Sequence, residues 1–465
     1  MKRSLLKTTV LLLVLATTAC GQIAYKEFSF DMCGGGARAE GMGKAFLALS
    51  DDVTGGSWNP AGIYAHEKPI IGVSWASLAP RGQTSSDFAG SLLTDPIVQD
   101  HSGTQNTVGS LNFLAPIRIK GHAFVGSFNY TRNFDAMQSL DWSWAGYETF
   151  YFMNSVGEIE AEDLLIEQDG TYRLDGGLNS LNFALATRVY NNISAGISLN
   201  VYTGTAVGQI EQSSRVHDIR YTYDQRGLGE EGITIIDSTK FSGFNATIGL
   251  KYSGENFKAG LVVRTPFSLS DKIDSSMYVI TKLNGLIIDD GTDTTYIGNK
   301  LVKYDLPMMV GLGVAFNLKP NWLISIDGEY RGFSSTDIKI RESILINPGG
   351  TNIESFLEVD PEWNNVFAFR IGTEYLWATS VGEVPLRAGF GYVPMPAENV
   401  AVDLATETTA QRNFSVGTGI HWEQIRFDIA YTHSMLDQER LEIGQIYTEY
   451  ENKDNHLNIS FTGVF

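Results

Sequence analysis

The stretch GGGARAEGMGKAFLALSDDVTGGSWNPAGIY (34–64) places Gly34, Gly36 and Ala39 at the G-x-G-x-x-A spacing of a dinucleotide-binding turn. Asp51 and Asp52 follow after a short apolar run. In such a turn the glycines bring backbone close to a pyrophosphate at a helix N-terminus, and an acid further on binds a ribose. That chemistry needs a buried strand before the turn and a βαβ unit around it. Here the preceding strand is only FSFDM (28–32), and nothing downstream alternates strand with helix. A phosphate cradle is therefore set aside. The seven histidines, at 66, 101, 122, 217, 421, 433 and 456, show no paired metal-ligand spacing. No Ser, His and acid set converges on a nucleophilic site. The acidic run DDGTD (289–293) lacks the further spaced oxygens of a calcium loop and reads as solvated acid. The expectation is a protein that is not an enzyme and carries no cofactor and no metal.

The elements that position these residues start with an export signal. Lys2, Arg3 and Lys7 precede the apolar run TVLLLVLA and the small residues of TTACGQ. A run this short is far below the roughly 20 residues a helix needs to cross a bilayer. Cleavage after Gly21 is expected, giving a signal peptide over 1–21; acylation at Cys20 is the rival reading. Losing the signal moves the formal charge from −19 to −22. An acidic exported chain makes a poor nucleic-acid ligand, because phosphate binding needs clustered Lys and Arg. With Cys20 and Cys33 alone, no disulfide framework is possible.

What remains is rich in Gly (48), Tyr (20) and Phe (25), and its dominant signal is a period of two. HLNISFTGVF sets Leu457, Ile459 and Phe461 against Asn458, Ser460 and Thr462. VFAFRIGTEYLW sets Phe367, Phe369, Ile371, Tyr375 and Trp377 against Arg370, Gly372 and Glu374. NWLISIDGEY sets Trp322, Ile324, Ile326 and Tyr330 against Ser325, Asp327 and Glu329. Full charges in mid-strand opposite aromatic-tipped apolar stripes imply apolar residues facing lipid and polar residues facing a lumen. Roughly fourteen such segments occur, from about 69–79 to 456–465, joined by tight turns such as RIKG, YNN, SGEN and WEQ. Long connections alternate with these, near 80–105, 133–177, 206–240, 267–302, 334–364, 394–409 and 436–455. The expected fold is all-β: a 14-stranded antiparallel transmembrane β-barrel in a bacterial outer membrane, with both termini periplasmic and acidic long loops outside. Closure pairs every strand edge.

GARAEGMGKAFLALSDDVTGGSWNPAGI (36–63) resembles the N-terminal signature of the FadL-type outer-membrane transporters of hydrophobic compounds. VPLRAGFGYVPMPAENV, RNFSVGTGIHW, IRFDIAYTHSM and the terminal Phe465 agree with it near the other end. The resemblance implies a hatch (plug) over 22–68 inside a barrel over 69–465. Ligand is then captured among outer loops, passes to an inner site, and leaves through the wall or past the hatch. Gly36, Met42, Gly43, Phe46 and Leu47 are the expected plug residues, with EGMGKAFLAL as a short helix. Asn59, Pro60 and Ala61 fall on the family's N-P-A element, expected to end that helix and anchor the plug. The family also has a wall opening beneath a kinked strand; the third strand here shows Gly126 but no Pro.

For capture, DWSWAGYETFYFM (141–153) holds Trp142, Trp144, Tyr147, Phe150, Tyr151 and Phe152 in an expected loop. An exposed aromatic patch marks a binding surface, and a ring buried against an acyl chain contributes about 1–3 kcal/mol. The same rings equally suit a cap of loops packed on one another. Arg370, Arg387 and Arg426 face the lumen and suit a ligand carboxylate; pairing with Glu374, Asp428, Asp327 and Glu329 is the favoured alternative. The functional expectation is passive, diffusion-driven uptake of hydrophobic small molecules such as long-chain fatty acids or hydrocarbons. A monomer in contact with outer-membrane lipids and lipopolysaccharide is expected. An accessory outer-membrane barrel that docks exported proteins is the alternative, and a hydrophilic porin would need an open lumen.

Overall fold

Alternation of side chains becomes a wall with two different faces. In Gln105–Ile119, Ser110, Asn112 and Leu114 are buried while Leu111 and Phe113 are exposed. In Val366–Thr379, Ala368, Arg370 and Glu374 are buried while Phe367, Phe369 and Trp377 are exposed. The polar face is inside and the apolar face outside, an arrangement stable only where the outer surroundings are hydrocarbon. The computed structural model describes residues 31–32, 34–88, 97–136, 138–153, 159–221, 225–284, 286–289, 296–346, 352–396, 410–442 and 446–465. Residues 33–465 form one compact unit. The expected signal peptide, Cys20, Cys33 and positions 290–293 of the acidic run lie outside the described residues.

Fourteen antiparallel strands close the barrel. They are β1 (Ile70–Phe88), β2 (Gln105–Ile119), β3 (His122–Asp135), β4 (Ile159–Tyr190), β5 (Ile193–Tyr221), β6 (Gln225–Ser253) and β7 (Phe257–Arg264). Next come β8 (Met309–Lys319), β9 (Trp322–Arg331), β10 (Val366–Thr379), β11 (Gly382–Pro394), β12 (Ala410–His421), β13 (Ile425–Glu442) and β14 (Ile446–Val464). Each pairs with the next, and β14 returns to β1 with Ile70 opposite Val464. No helix among the described residues is long and apolar enough to cross a membrane; strands make the crossing. One rim carries the tight turns. Lys120 and Gly121 there take φ of 49° and 84°, the left-handed backbone that two-residue hairpins need to match strand twist. Exposed Tyr190, Tyr252, Trp322, Trp377 and Trp422 lie near these turns, as an interfacial aromatic girdle does.

The other rim departs from expectation. The connections 133–177, 206–240, 267–302 and 334–364, expected as loops, are largely paired strand. β4 runs for 32 residues and β5 and β6 for 29 each, where about 9–11 suffice to cross a bilayer. Gln138–Met153 pairs with β4, and Phe267–Leu283 pairs with β6 and with Tyr296–Leu306. Ile338–Ile346 and Asn352–Val359 extend the sheet further. The acids in these stretches drew attention to solvation, while runs such as GITIIDSTK kept the strand period and let the backbone satisfy its own hydrogen bonds. Together these extensions form a crown above the ring.

Candidate functional site

The segment from Gly34 to His66 contacts strands all round the ring, which only a chain inside it can do. Ala37 N donates to Ser460 Oγ on β14 (2.9 Å), and Leu47 N donates to Asp327 Oδ2 on β9 (2.8 Å). Asn129 Nδ2 of β3 donates to Val53 O (2.9 Å), and Ser194 Oγ of β5 to Ala61 O (2.8 Å). Lys251 Nζ of β6 donates to Leu49 O. An irregular backbone leaves its own N–H and C=O groups unpaired, and the polar inner face supplies their partners. The segment's apolar side chains make a small core of their own. Met42, Phe46 and Leu49 are fully buried with Trp58, and Phe46 meets Trp58 edge-on at 5.7 Å.

Local structure here differs from the expected helix over EGMGKAFLAL. The helix is earlier, α1 (Ala37–Gly41), and a four-residue α2 (Gly55–Trp58) follows. Gly43 and Lys44 both take φ of 63°, which stops α1 before the apolar run and leaves Phe46 and Leu47 on turns. Pro60 begins a 3-10 turn, Pro60–Ala65, rather than ending a helix. Asn59 caps that turn by accepting from Ala61 N (3.1 Å), while its Nδ2 donates to Leu47 O (3.0 Å) and Leu250 O (3.2 Å). One buried amide thus ties two parts of the segment to β6. Gly36, with φ of 109°, precedes α1. Close approach explains the glycines of the wall as well. A Cβ on Gly43 would stand 2.5 Å from Phe390 N, and one on Gly389 would strike the Gly43 backbone.

Charges bridge segment and wall in one chain. Lys258 on β7 pairs with Asp51 (2.8 Å), Asp51 with Arg38 (2.7 Å), and Arg38 with Glu374 on β10 (2.9 Å). Glu374 also takes Arg387 (2.6 Å), which pairs with Asp428 (2.6 Å), itself 2.9 Å from His421. Arg370 pairs with Glu329, which also takes Arg331 (3.1 Å). Burial pushes the Asp51 carboxyl up, but Arg38 and Lys258 outweigh it and hold it well below the usual carboxylate range. Asp52, where burial dominates, is raised. Of the three lumen arginines, Arg370 and Arg387 are therefore engaged with wall carboxylates. Arg426 starts β13 beside the turn rim and is half-buried.

Beyond the segment the inner face changes character. On β6, Lys251, Thr247 and Asn245 give way to Phe241, Ile235 and Ile233, with half-buried Thr239 and Asp237 between them; on β4, Asn182 and Ser180 give way to Tyr172, Ile166 and Leu164, with buried Gln168 among them. Tyr202 stacks on Phe267 at 5.0 Å with 15° between ring planes. The aromatic run expected as a loop is strand. Trp142 and Trp144 register with Gly170 and Gln168, and Phe150 and Phe152 with Glu162 and Glu160. Tyr147 and Tyr151 fall opposite Leu165 and Ala161, on the alternate face. In the third strand the irregularity is not at Gly126. The register of β3 against β4 shifts between Arg132 and Phe134, beside Gly176 and Gly177 with φ of 138° and 152°, and Arg132 pairs with Asp135 there (2.6 Å).

A fourteen-stranded barrel of this kind has known counterparts. The sequence profile of the family described as outer membrane protein transport protein (OMPP1/FadL/TodX) matches residues 175–459. The chain belongs to this family. Solved structures of the FadL/TodX type share the fold. A FadL homologue from Pseudomonas aeruginosa superposes with a TM-score of 0.58 at 12% identity, over 92% of this chain and 98% of its own. The toluene transporter TbuX of Ralstonia pickettii gives 0.52 at 14%, over 94% and 100%. The toluene transporter TodX of Pseudomonas putida gives 0.58 at 12%, over 94% and 99%. No curated protein sequence matches the chain. Within the OMPP1/FadL/TodX family, fourteen strands accompany outer-membrane transport rather than catalysis. Sequence reasoning missed Arg38, Asp51 and Lys258 as the bridge between segment and wall. The only available signal was a charge inside a stretch otherwise read for its glycines.

Proposed function

We propose that this barrel carries hydrophobic small molecules, hydrocarbons or long-chain fatty acids, passively across the outer membrane. Residues 34–66 act as the hatch that closes the lumen to water and ions, with Asn59 as an anchor. Both termini lie on the periplasmic side with the tight turns, so the crown faces outward. The observation that carries this reading is the change along one inner wall, from a polar, ion-paired zone that holds the hatch to a crown whose buried face is mostly apolar, with isolated polar side chains such as Gln168 and Asp271. An apolar solute leaving water gains about 25 cal/mol per Å² of surface buried there, and the gain needs no energy source. The aromatic run Trp142, Trp144, Tyr147, Phe150, Tyr151 and Phe152, on the strand that pairs with β4, captures the solute at entry. The toluene-transporter names of two structural neighbours support the solute class. Deleting the gene should slow uptake of a labelled alkane and a labelled long-chain fatty acid at low concentration, and the wild-type chain should restore it. Unchanged uptake of both would overturn the reading.

A further inference from the structure

We infer that Asp271 is a polar recognition point inside the crown, selecting apolar ligands that carry one hydrogen-bond donor, a hydroxyl or an amine. The inference rests on the uptake reading and narrows its ligand. Asp271 lies in Phe267–Leu283, opposite Phe241 of β6 on one side and Val302 of Tyr296–Leu306 on the other. Leu269, Phe241 and Val302, its neighbours on the same face, are all buried. Asp271 itself is 7% exposed, and its Oδ1 has no hydrogen-bond partner among the described residues. Of the carboxylates around the hatch, Asp51, Glu374, Glu329 and Asp428 each hold a cation, and Asp327 accepts from Leu47 N of the hatch.

A buried acceptor left unpaired costs roughly 1–3 kcal/mol, more if charged, and strand pairing does not need it. The ladder through position 271 is backbone, and a leucine there would pair as well. A ligand donor is the partner that fits. The aromatic pair Tyr202–Phe267 lies on the hatch side of this carboxyl. Gly243 clears room for Phe267, since a Cβ there would stand 3.2 Å from the ring. Four residues of strand separate Phe267 from Asp271, roughly 13 Å. A ligand whose apolar end rests on the rings and whose polar end reaches that far satisfies both. Burial pushes the Asp271 carboxyl up to about 7, so a ligand carboxylate meets a like charge, and fatty acids are disfavoured at this point, only above that pH.

The test is equilibrium binding to the purified full chain in detergent, using dodecanol, dodecylamine, dodecanoate and dodecane as probes. Wild type should bind dodecanol and dodecylamine about ten-fold more tightly than dodecane or dodecanoate. Asp271→Leu should keep the dodecane affinity and lose the ten-fold difference. Asp271→Asn should keep the preference for dodecanol and lose the additional attraction of the amine. Heat-shifted migration on a gel checks that each barrel is folded, and the Asn variant decides the matter if the Leu variant does not fold. Dodecane binding with no preference among head groups, or a preference unchanged in both variants, overturns the inference and leaves the uptake reading standing. Failure of wild type to bind any probe, dodecane included, overturns both.

Discussion

β6 passes through two environments on one inner face. Nearest the turns it offers Lys251, Thr247 and Asn245, and it contacts the hatch through Lys251 Nζ and the Leu250 carbonyl. Farther on it offers Phe241, Ile235 and Ile233. The first stretch faces an irregular chain whose backbone must be paired, so the wall carries donors and acceptors. The second faces no such chain and gains apolar side chains, with Thr239 and Asp237 left among them. On the proposed reading, the contrast separates the work of closing the lumen from that of holding a hydrophobic solute. It assigns each to a length of strand rather than to a domain.

The strongest way to break that contrast is to remove one side of it. Deleting residues 34–66 should raise single-channel conductance in planar bilayers several-fold while the crown keeps its affinity for dodecane. An unchanged conductance would mean that something else fills the lumen. A smaller effect is expected from Arg38→Ala. It strips Asp51 and Glu374 of a shared cation but leaves them Lys258 and Arg387, so it costs less than the ~3–5 kcal/mol of a buried charge left unpaired. Hatch residues should become open to protease, with intermittent high-conductance openings; a protected hatch would remove the ion chain from the closure. The least effect on architecture belongs to the crown. Trp142→Ala with Trp144→Ala should raise the half-saturating solute concentration several-fold, with conductance and barrel assembly as in wild type. A shift in conductance instead would blur the two regions together.

These regions were unequally legible in the sequence. All fourteen ring strands showed as alternation, because a wall with lipid on one side and water-like polarity on the other fixes the face of every residue. The crown was hidden for the converse reason. Its outer face meets water, its inner face mixes apolar with buried polar residues, and its acids made GEIEAEDLLIEQDG resemble a solvated loop although Leu164, Ile166 and Gln168 keep a buried period of two. Asp271 became visible only once that period was extended into Phe267–Leu283. In the hatch, the Gly-rich signature and N-P-A element marked the segment. Its shape depends on long-range contacts such as Leu47 N to Asp327, and no local pattern encodes those. Arg370 and Arg387 were rightly placed inside, yet their partners follow from strand register, with Glu374 directly opposite Arg387.

The division of labour is tested most directly by locating a solute in the barrel. A crystal of the full chain soaked in a bromoalkane gives an anomalous peak at the halogen. The account predicts that peak within the crown, between the Tyr202–Phe267 rings and Asp271. A peak lodged between the hatch and its polar wall, with the crown empty, would contradict it.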